Sequence, residues 1–304
     1  MIRRLAAALL LAWASLAAAD TWKFAVLGDT PYSDAEREQL PALLAAVAAD
    51  GVELAIHVGD IKSGQSRCDD AVFADRRQLF DTFPQPFVFV AGDNEWTDCH
   101  RVSNGGYDPL ERLAALRRLF WPDNRSLGQK KIAVEQQSAA WPEHARFRLG
   151  PVLVVTLNVP GDDNNYGRAP KPQAEFEARN PVVLAWLRDS FALARRDKLA
   201  GVVVAMQANP GFRQFNRGLG HPGFKQLLET LRAETEAFPG QVLFLHGDTH
   251  SHQIDQPLLA GNGETLTRFT RVESYGSPFL GWVKVIVDDQ TPGLFRFESH
   301  PWPR

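Results

Sequence analysis

Four Gly-Asp pairs contain the side chains of this 304-residue chain that are best suited to chemistry, and three of them directly follow an apolar run. The pairs are Gly28-Asp29, Gly59-Asp60, Gly92-Asp93 and Gly247-Asp248. A short β-branched or aromatic run that ends at Gly is typical of a buried strand turning sharply into a loop. In open α/β sheets, ligands bind at the loops that follow the carboxyl ends of strands. Four carboxylates gathered there would repel one another strongly, so the pattern predicts a bound cation and hence a metal site.

The elements that must position these aspartates alternate along most of the chain. Apolar runs predict strands at residues 22–27, 52–58, 87–91, 145–149, 151–159, 201–206 and 241–245. Helical spacing and capping residues predict helices near residues 34–50, 69–83, 108–120, 173–196 and 222–237. After residue 252 we expect successive antiparallel strands at residues 266–272, 282–287 and 294–298. This order predicts an α/β protein whose second sheet is largely antiparallel.

The first residues have the features of a secretory signal peptide. Arg3 and Arg4 form a basic region, an apolar stretch runs to Leu16, and small residues at positions 17–19 offer a cleavage site. A membrane anchor is the alternative, but the apolar stretch is shorter than the roughly 20 residues that a spanning helix needs. We therefore expect residues 1–19 to be removed. Residues 20–304, which show no repeat or linker, are expected to form a single domain in the periplasm or outside the cell.

The charge pattern bears on the class of partner. The formal net charge is −3 and no basic stripe stands out, so nucleic acid is not an expected partner. No later segment is long and apolar enough to predict a membrane span, and the sequence carries no signal for an oligomeric state.

The two cysteines, Cys68 and Cys99, each lie shortly after one of the Gly-Asp pairs. In an oxidising compartment a disulfide between them is plausible, and two free thiols are the alternative. A bridge would close a loop of about 30 residues, which corresponds to roughly 3–4 kcal/mol on the chain-entropy argument. It would also tie together two of the loops that carry aspartates.

The order of these motifs resembles that of the calcineurin-like metallophosphoesterases, over nearly the whole chain after residue 20. That family has a four-layer α/β/β/α sandwich of two mixed sheets. Its motifs run D-x-H, G-D, G-N-H-D/E, a lone His after a strand, and G-H-x-H, and they hold two metal ions about 3.5–4 Å apart. By this resemblance Asp29 matches the first aspartate and Asp60 the aspartate that bridges both ions. At the third motif Asp93 stands where the family has its ligand Asn, and Glu95 closes the motif. At the fifth motif Asp248 stands where the first His would be, and His250 matches the second.

The chain departs from the family at three further histidines. Pro31 stands at the D-x-H histidine, and Asn94 stands at the histidine assigned as an acid or phosphate contact. Gln207 or Asn209 stands where the lone His should follow a strand. One interpretation is a decayed site, and the other is a site rebuilt with oxygen donors. We favour the second because decay would remove donors rather than exchange them. Tyr32 or a water would then fill the place of the first histidine.

An oxygen-rich donor set favours Mn²⁺ or Mg²⁺, with Ca²⁺, Zn²⁺ and iron as other possibilities. The resemblance implies that a metal-bound hydroxide attacks a small-molecule phosphate mono- or diester at a two-metal site. The competing hypothesis is a non-catalytic metal- or phosphate-binding protein on the same scaffold.

Further candidates act on the substrate. With Asn94 at the acid position, His100 is our first candidate for the proton donor and His252 the second. Arg101, Arg213 and Asn158 are candidate substrate contacts, although lone loop arginines are also common as solvated surface residues. The Trp96 ring is expected either to form the base of the substrate pocket or to pack in the core.

Overall fold

The computed structural model describes residues 21–167 and 173–303, so the expected signal peptide lies outside the described residues. The strands, in chain order, are β1 Thr21–Leu27, β2 Leu54–His57, β3 Phe87–Phe89, β4 Glu135–Ser138, β5 Trp141–Leu149, β6 Val152–Thr156, β7 Gly201–Ala205, β8 Gln241–His246, β9 Gln253–Asp255, β10 Phe269–Glu273, β11 Gly281–Asp288 and β12 Phe295–Pro301. The helices are α1 Asp34–Ala49, α2 Asp70–Asp81, α3 Pro109–Phe120, α4 Gly161–Asn164, α5 Ala174–Arg196, α6 Phe212–Asn216 and α7 Pro222–Ala237. Two short 3₁₀ helices span Thr97–His100 and Val102–Asn104.

The strands form two mixed sheets. The first has the order β12-β11-β1-β2-β3, with β1, β2 and β3 parallel and β11 and β12 antiparallel to their neighbours. The second has the order β4-β5-β6-β7-β8-β10-β9, and its central strands β6, β7, β8 and β10 run parallel.

The expectation of a largely antiparallel second sheet is therefore wrong. Strand β10 pairs in parallel with β8, and the last two strands join the first sheet instead. There β11 covers the edge of β1, with Ala25 opposite Lys284. Local alternation of apolar residues predicts that a strand exists but does not specify the sheet to which it pairs.

The two sheets pack face to face around an apolar core and carry helices on their outer faces. Residues of the inner core include Phe24 and Ile56 from the first sheet and Val203 and Leu243 from the second. Helices α1, α2 and α3 cover the first sheet, and α5 and α7 cover the second. The molecule is thus the expected four-layer sandwich of two mixed sheets flanked by helices.

Local sequence explains where several helices begin. Helix α3 starts as expected, because the Asp108 carboxylate accepts the Glu111 backbone N–H at 2.9 Å and Pro109 occupies the first turn. Ser33 caps α1 in the same way through Glu36. None of the described helices combines the length and apolarity that crossing a bilayer requires.

The parallel strands matter most for function because their carboxyl ends deliver the Gly-Asp turns. A disulfide joins Cys68 to Cys99, with the two Cα atoms 5.8 Å apart. It links the loop after β2, which begins with Asp60, to the loop after β3, which contains Asp93.

Candidate metal centre

The four aspartates of the Gly-Asp pairs meet at the carboxyl ends of β1, β2, β3 and β8. Three of them, Asp29, Asp60 and Asp248, have left-handed backbones with φ of 49°, 59° and 79°. A left-handed backbone is costly for a residue other than Gly, and such residues cluster at functional sites. Here it turns the chain sharply at the end of each strand, so that the carboxylate remains at the edge of the sheet.

Two of the glycines are required by close contact with these carboxylates. A Cβ atom at Gly92 would lie 2.1 Å from Asp60 Oδ1, and one at Gly247 would lie 2.2 Å from Asp29 Oδ2. These distances are far below van der Waals contact, so no larger residue fits unless the carboxylates move. In these two pairs the glycine therefore allows a carboxylate from a different strand to lie against its backbone.

Asp29 and Asp60 are buried and Asp93 and Asp248 are half-buried, and their surroundings raise the pKa of all four carboxyls. Burial raises the pKa of Asp29, Asp60 and Asp93, and the charges of neighbouring aspartates raise it further. Burial and the charge of Asp93 raise the pKa of Asp248 to about 7. A divalent cation bound among them would relieve both the desolvation and the repulsion. The donor chemistry of the cluster therefore fits a metal centre.

Asp60 is held from two sides. Asn94 donates its backbone N–H to Asp60 Oδ1 at 3.2 Å and its side-chain amide to Oδ2 at 2.8 Å. Tyr32 donates its hydroxyl to the same Oδ2 at 2.8 Å. Asn94 therefore orients the aspartate that the resemblance assigns as the bridge, and its amide has no titratable proton to give a leaving group.

Tyr32 brings an oxygen donor to the cluster, next to the position where the family has its first histidine. Its hydroxyl lies 2.8 Å from Asp60 Oδ2 and 3.3 Å from His250 Nε2. Burial, then the charges of Asp60 and Asp29, raises the pKa of the phenol, which keeps its proton on the oxygen in the absence of a cation. Of the two substitutes that the sequence left open, the structure therefore brings the Tyr32 oxygen to this place.

Gln207 at the end of β7 connects the two sheets. Its side-chain nitrogen donates to Asp93 Oδ1 at 3.0 Å and to Asp248 Oδ1 at 3.3 Å, while its oxygen accepts the Gly161 N–H at 2.6 Å. Asn209 instead donates its backbone N–H to Asp248 and turns its side chain toward Thr249. Of the two candidates for the lone histidine position, Gln207 is the residue whose side chain joins the cluster.

His250 presents one ring nitrogen to the cluster. Its Nδ1 lies 2.6 Å from the carbonyl of Ser277, a contact that requires the proton to be on Nδ1. Its Nε2 then carries the lone pair and lies 3.5 Å from Asp29 Oδ1. This arrangement, with one nitrogen fixed by a carbonyl and the other free to coordinate, is typical of metal-binding histidines.

Glu95, two residues after Asp93, is a buried tie between loops. Its carboxylate accepts the backbone N–H groups of Asp60 and Gly92, at 3.1 and 2.6 Å, and that of Ile61 at 3.3 Å. Burial raises the pKa of Glu95 to about 7. Glu95 thus fixes the loops after β2 and β3 relative to each other beneath the cluster.

The proposed proton donors lie on opposite sides of the cluster. His100 is exposed, bonds the Thr97 carbonyl through Nδ1, and lines a cavity with Asp162 and Glu175. His252 lines a second cavity together with His250, and both of its ring nitrogens have partners, the Glu273 carbonyl and the Ser299 hydroxyl. The ring-nitrogen contacts of both histidines are thus with backbone carbonyls or a hydroxyl, and not with an aspartate of the cluster.

The candidate substrate contacts are dispersed. Arg101 forms an ion pair with Asp98 at 2.5 Å, and its charge acts on Asp93. Arg213 is exposed on α6, whereas Asn158 is buried and donates toward Glu143. Trp96 is fully buried in the core, so packing is the role that the structure assigns to it.

Sequence reasoning missed two buried ionisable residues near Asp93. Burial and the charge of Asp93 raise the pKa of Asp98 to about 6, and one of its oxygens has no hydrogen-bond partner. Lys62 is 1 % exposed, and its ammonium donates to the Ser63 carbonyl. Lys62 follows the Asp60 motif by two positions, but sequence alone gave no reason to expect a buried ammonium there.

A second group of ionisable residues lies elsewhere. Among the described residues, Asp50, Glu298 and His300 have ligand atoms within 4.8 Å of one another. The Lys284 ammonium already contacts Asp50 at 2.8 Å and Glu298 at 2.5 Å, which makes this group an ion-pair network. The carboxylates at the strand ends are spread more widely, and the Tyr32 and Gln207 side chains lie between them.

Comparison with known proteins bears on the fold. No protein-family model matches the chain, and no curated protein matches it. Among solved structures it is similar to a dimetal phosphatase from Danio rerio, with a TM-score of 0.53 and 13 % identity over 92 % of this chain and 96 % of that one. It is also similar to a purple acid phosphatase from yellow lupin seeds, with a TM-score of 0.54 and 12 % identity over 93 % of this chain. The chain has the calcineurin-like metallophosphoesterase fold.

At these identities the likeness establishes the fold alone. The chain also spans about half of the lupin protein, since the match covers 52 % of that chain. The calcineurin-like fold nevertheless accounts for why the Gly-Asp turns of two sheets converge, because it stacks parallel strands of both sheets with their carboxyl ends together.

Proposed function

We propose that this protein is a metal-dependent phosphoesterase that hydrolyses small-molecule phosphate mono- or diesters at a two-metal site. One observation carries the proposal: four aspartates from four different strand ends, two buried and two half-buried, meet beside His250, and polar side chains contact them where the family has its other histidines. The fold, shared with a dimetal phosphatase, supports it. The side chains that would hold the ions are Asp29, Asp60, Asp93, Asp248 and His250, with Tyr32 as an added oxygen donor. Gln207 positions Asp93 and Asp248 by hydrogen bonds from its amide nitrogen.

Divalent ions bound there supply a nucleophile at neutral pH and neutralise charge on the phosphorus oxygens. The chain's own residues arrange the site for that chemistry. Asn94 fixes the orientation of the Asp60 carboxylate through two hydrogen bonds. Gln207 sets the separation of Asp93 from Asp248, and the Ser277 carbonyl keeps the His250 proton on Nδ1 so that Nε2 faces the cluster. The oxygen-rich donor set favours Mn²⁺ or Mg²⁺.

The test is metal content and turnover in Asp60→Asn. We expect purified protein loaded with Mn²⁺ to hydrolyse aryl phosphate mono- or diesters, and Asp60→Asn to lose at least about 100-fold in kcat/KM together with bound metal. Asp189→Asn, which changes an exposed carboxylate on α5, is the matched control. Circular dichroism must show that both variants remain folded. Stoichiometric metal without turnover on any ester would overturn the proposal.

The substituted histidines favour a second candidate, a non-catalytic metal- or phosphate-binding protein. Asn94 and Gln207 bond carboxylates instead of offering imidazoles, which a binding protein would tolerate. The same preparation separates the two, because a binding protein retains metal or inorganic phosphate in calorimetry but hydrolyses no ester. Turnover that Asp60→Asn abolishes would exclude this second candidate.

We also propose that the protein is exported and acts in the periplasm or outside the cell. The signal-peptide pattern of residues 1–19 and the disulfide between Cys68 and Cys99 support this, because disulfides persist in oxidising compartments. Fractionation of a bacterial host expressing the full chain, with N-terminal sequencing of the product, tests it. Recovery of uncleaved protein from the cytoplasm alone would contradict the proposal.

A further inference from the structure

A cavity of about 510 Å³ adjoins His250 and is walled by aromatic rings. Its lining includes His252, Tyr275, Phe279 and Trp302 beside His250. Among the described residues that line it, none carries a carboxylate, an ammonium or a guanidinium group. Its volume is in the range of small-molecule sites. Because His250 belongs both to this cavity and to the candidate metal centre, a molecule bound at the centre has the cavity directly beside it.

The walls of this aromatic cavity are fixed by contacts of their own. The His252 and Tyr275 rings stack with centroids 4.1 Å apart and planes 22° apart. Both nitrogens of His252 are bonded, and the Trp302 indole N–H donates to Gln39 at 3.2 Å. The rings are therefore held in place before any ligand arrives, which lowers the entropy cost of binding.

The loop that carries Phe279 is packed onto the metal centre itself. Ser277 donates its N–H to the Asp29 carbonyl at 2.9 Å and accepts the His250 Nδ1 proton at 2.6 Å. A Cβ atom at Gly276 would lie 2.8 Å from the Cβ of Asp29. Phe279 lies two residues after Ser277 and is 55 % exposed. The loop that carries the Phe279 ring therefore contacts two candidate metal ligands, Asp29 and His250.

The cavity on the other side of the centre has the opposite character. It measures about 710 Å³ and is lined by His100 and by carboxylates that include Asp108, Asp162 and Glu175. Its lining residue Asp162 directly follows Gly161, whose backbone lies against the Asp93 carboxylate. A phosphate ester is an anion, so the carboxylates of this acidic cavity would repel it. Its uncharged organic group gains more binding free energy from the neutral aromatic cavity.

We propose that the aromatic cavity binds a flat aromatic group on the alcohol of the phosphate ester. The substrate class is then aryl-bearing phosphate esters, in which the ring stacks against Phe279, Trp302 and the Tyr275–His252 pair while the phosphate lies at the metal centre. This inference rests on the proposed function, because it names the substrate that the same site would hydrolyse.

The test compares three esters whose alcohols are all primary, so that leaving-group acidity varies little: benzyl, cyclohexylmethyl and ethyl phosphate. With the Mn²⁺-loaded protein we expect kcat/KM for benzyl phosphate to exceed that for ethyl phosphate by about tenfold, and that for cyclohexylmethyl phosphate to be clearly lower than for benzyl. Phe279→Ala should reduce the benzyl-to-ethyl ratio to about threefold or less. Leu110→Ala is the matched control, because Leu110 is 54 % exposed and lines the acidic cavity.

A second readout does not depend on turnover. Calorimetry should show benzylphosphonate binding about tenfold more tightly than ethylphosphonate, and Phe279→Ala should remove most of that difference. Equal values for the benzyl and cyclohexylmethyl esters, or loss of the preference in Leu110→Ala but not in Phe279→Ala, would overturn the inference. If no ester is hydrolysed but benzylphosphonate still binds with this preference, the proposed activity fails while the aromatic cavity stands.

Discussion

Asn94 grips both oxygens of Asp60, with its backbone N–H 3.2 Å from Oδ1 and its side-chain amide 2.8 Å from Oδ2. Asn94, at a position where the motif that this chain resembles has a histidine, therefore supports the aspartate that the resemblance assigns as the bridge. Any proton given to a leaving group must come from another side chain or from water. This relationship keeps the Asp60 carboxylate oriented without an imidazole at position 94.

We expect Asn94→Ala to weaken metal binding without unfolding the protein. Removing the amide leaves the Tyr32 hydroxyl and the backbone N–H on Asp60, so the carboxylate remains in place but is less well oriented. Loss of a group that orients a ligand costs about 10- to 100-fold in metal affinity. Calorimetric titration with Mn²⁺ measures the change. Unaltered affinity would show that the side-chain amide of Asn94 does not orient Asp60.

Gln207 offers a direct test of the rebuilt site. Gln207→Ala removes the donor shared by Asp93 and Asp248, and we expect about 10- to 100-fold weaker metal binding. Gln207→His places an imidazole at the end of β7, and we expect it to shift selectivity from Mn²⁺ toward Zn²⁺. The imidazole adds a nitrogen ligand, which zinc favours, where the amide nitrogen of Gln207 cannot coordinate. Competition titrations with both metals give the ratio of the Mn²⁺ and Zn²⁺ affinities. Gln256→Ala, at an exposed glutamine, is the control.

The raised carboxyl pKa values predict an unusual pH dependence of stability. The pKa of Asp248 and of Glu95 is about 7 in the folded protein, against about 4 for an unfolded carboxyl. Between these values the metal-free folded state binds more protons than the unfolded state, so its stability falls as the pH rises. We expect a lower Tm at pH 8 than at pH 5 in EDTA.

Metal should reverse that trend, because it binds the deprotonated carboxylates. We expect excess Mn²⁺ to raise the Tm by more at pH 8 than at pH 5. Differential scanning calorimetry at both pH values, with EDTA or with Mn²⁺, provides the four Tm values to compare. A metal-free protein that becomes more stable between pH 5 and 8 would contradict the burial of charge described for this cluster.

The disulfide should stabilise the protein appreciably. Cys68 and Cys99 are 31 residues apart, and a loop of that size corresponds to about 3–4 kcal/mol on the chain-entropy argument. We expect the double variant Cys68→Ala with Cys99→Ala to lose stability of that order in urea unfolding. Dithiothreitol should destabilise the parent protein but not the double variant. Two titratable thiols in denatured, non-reduced protein would refute the bridge.

Much of the secondary structure can be predicted from the sequence because the patterns that specify strands and helix starts are local. The apolar run before each Gly-Asp pair predicts a strand, and Asp108 with Pro109 predicts the start of α3. Strands β4 and β9 escaped prediction because Glu135–Ser138 and Gln253–Asp255 lack an alternating apolar pattern. Their pairing comes from neighbouring strands, so no local pattern was needed to form them.

By itself, then, the sequence determined the order of the carboxylates and the turns that expose them, since a strand ending in Gly-Asp is a local property of the chain. Only the tertiary structure decided which donors meet. Gln207 rather than Asn209 reaches Asp93, which lies 114 residues earlier in the chain, because β7 of the second sheet ends opposite β3 of the first. Tyr32 reaches His250 across 218 residues for the same reason. Contacts between sheets depend on how two layers pack, and no pattern within either segment specifies that packing.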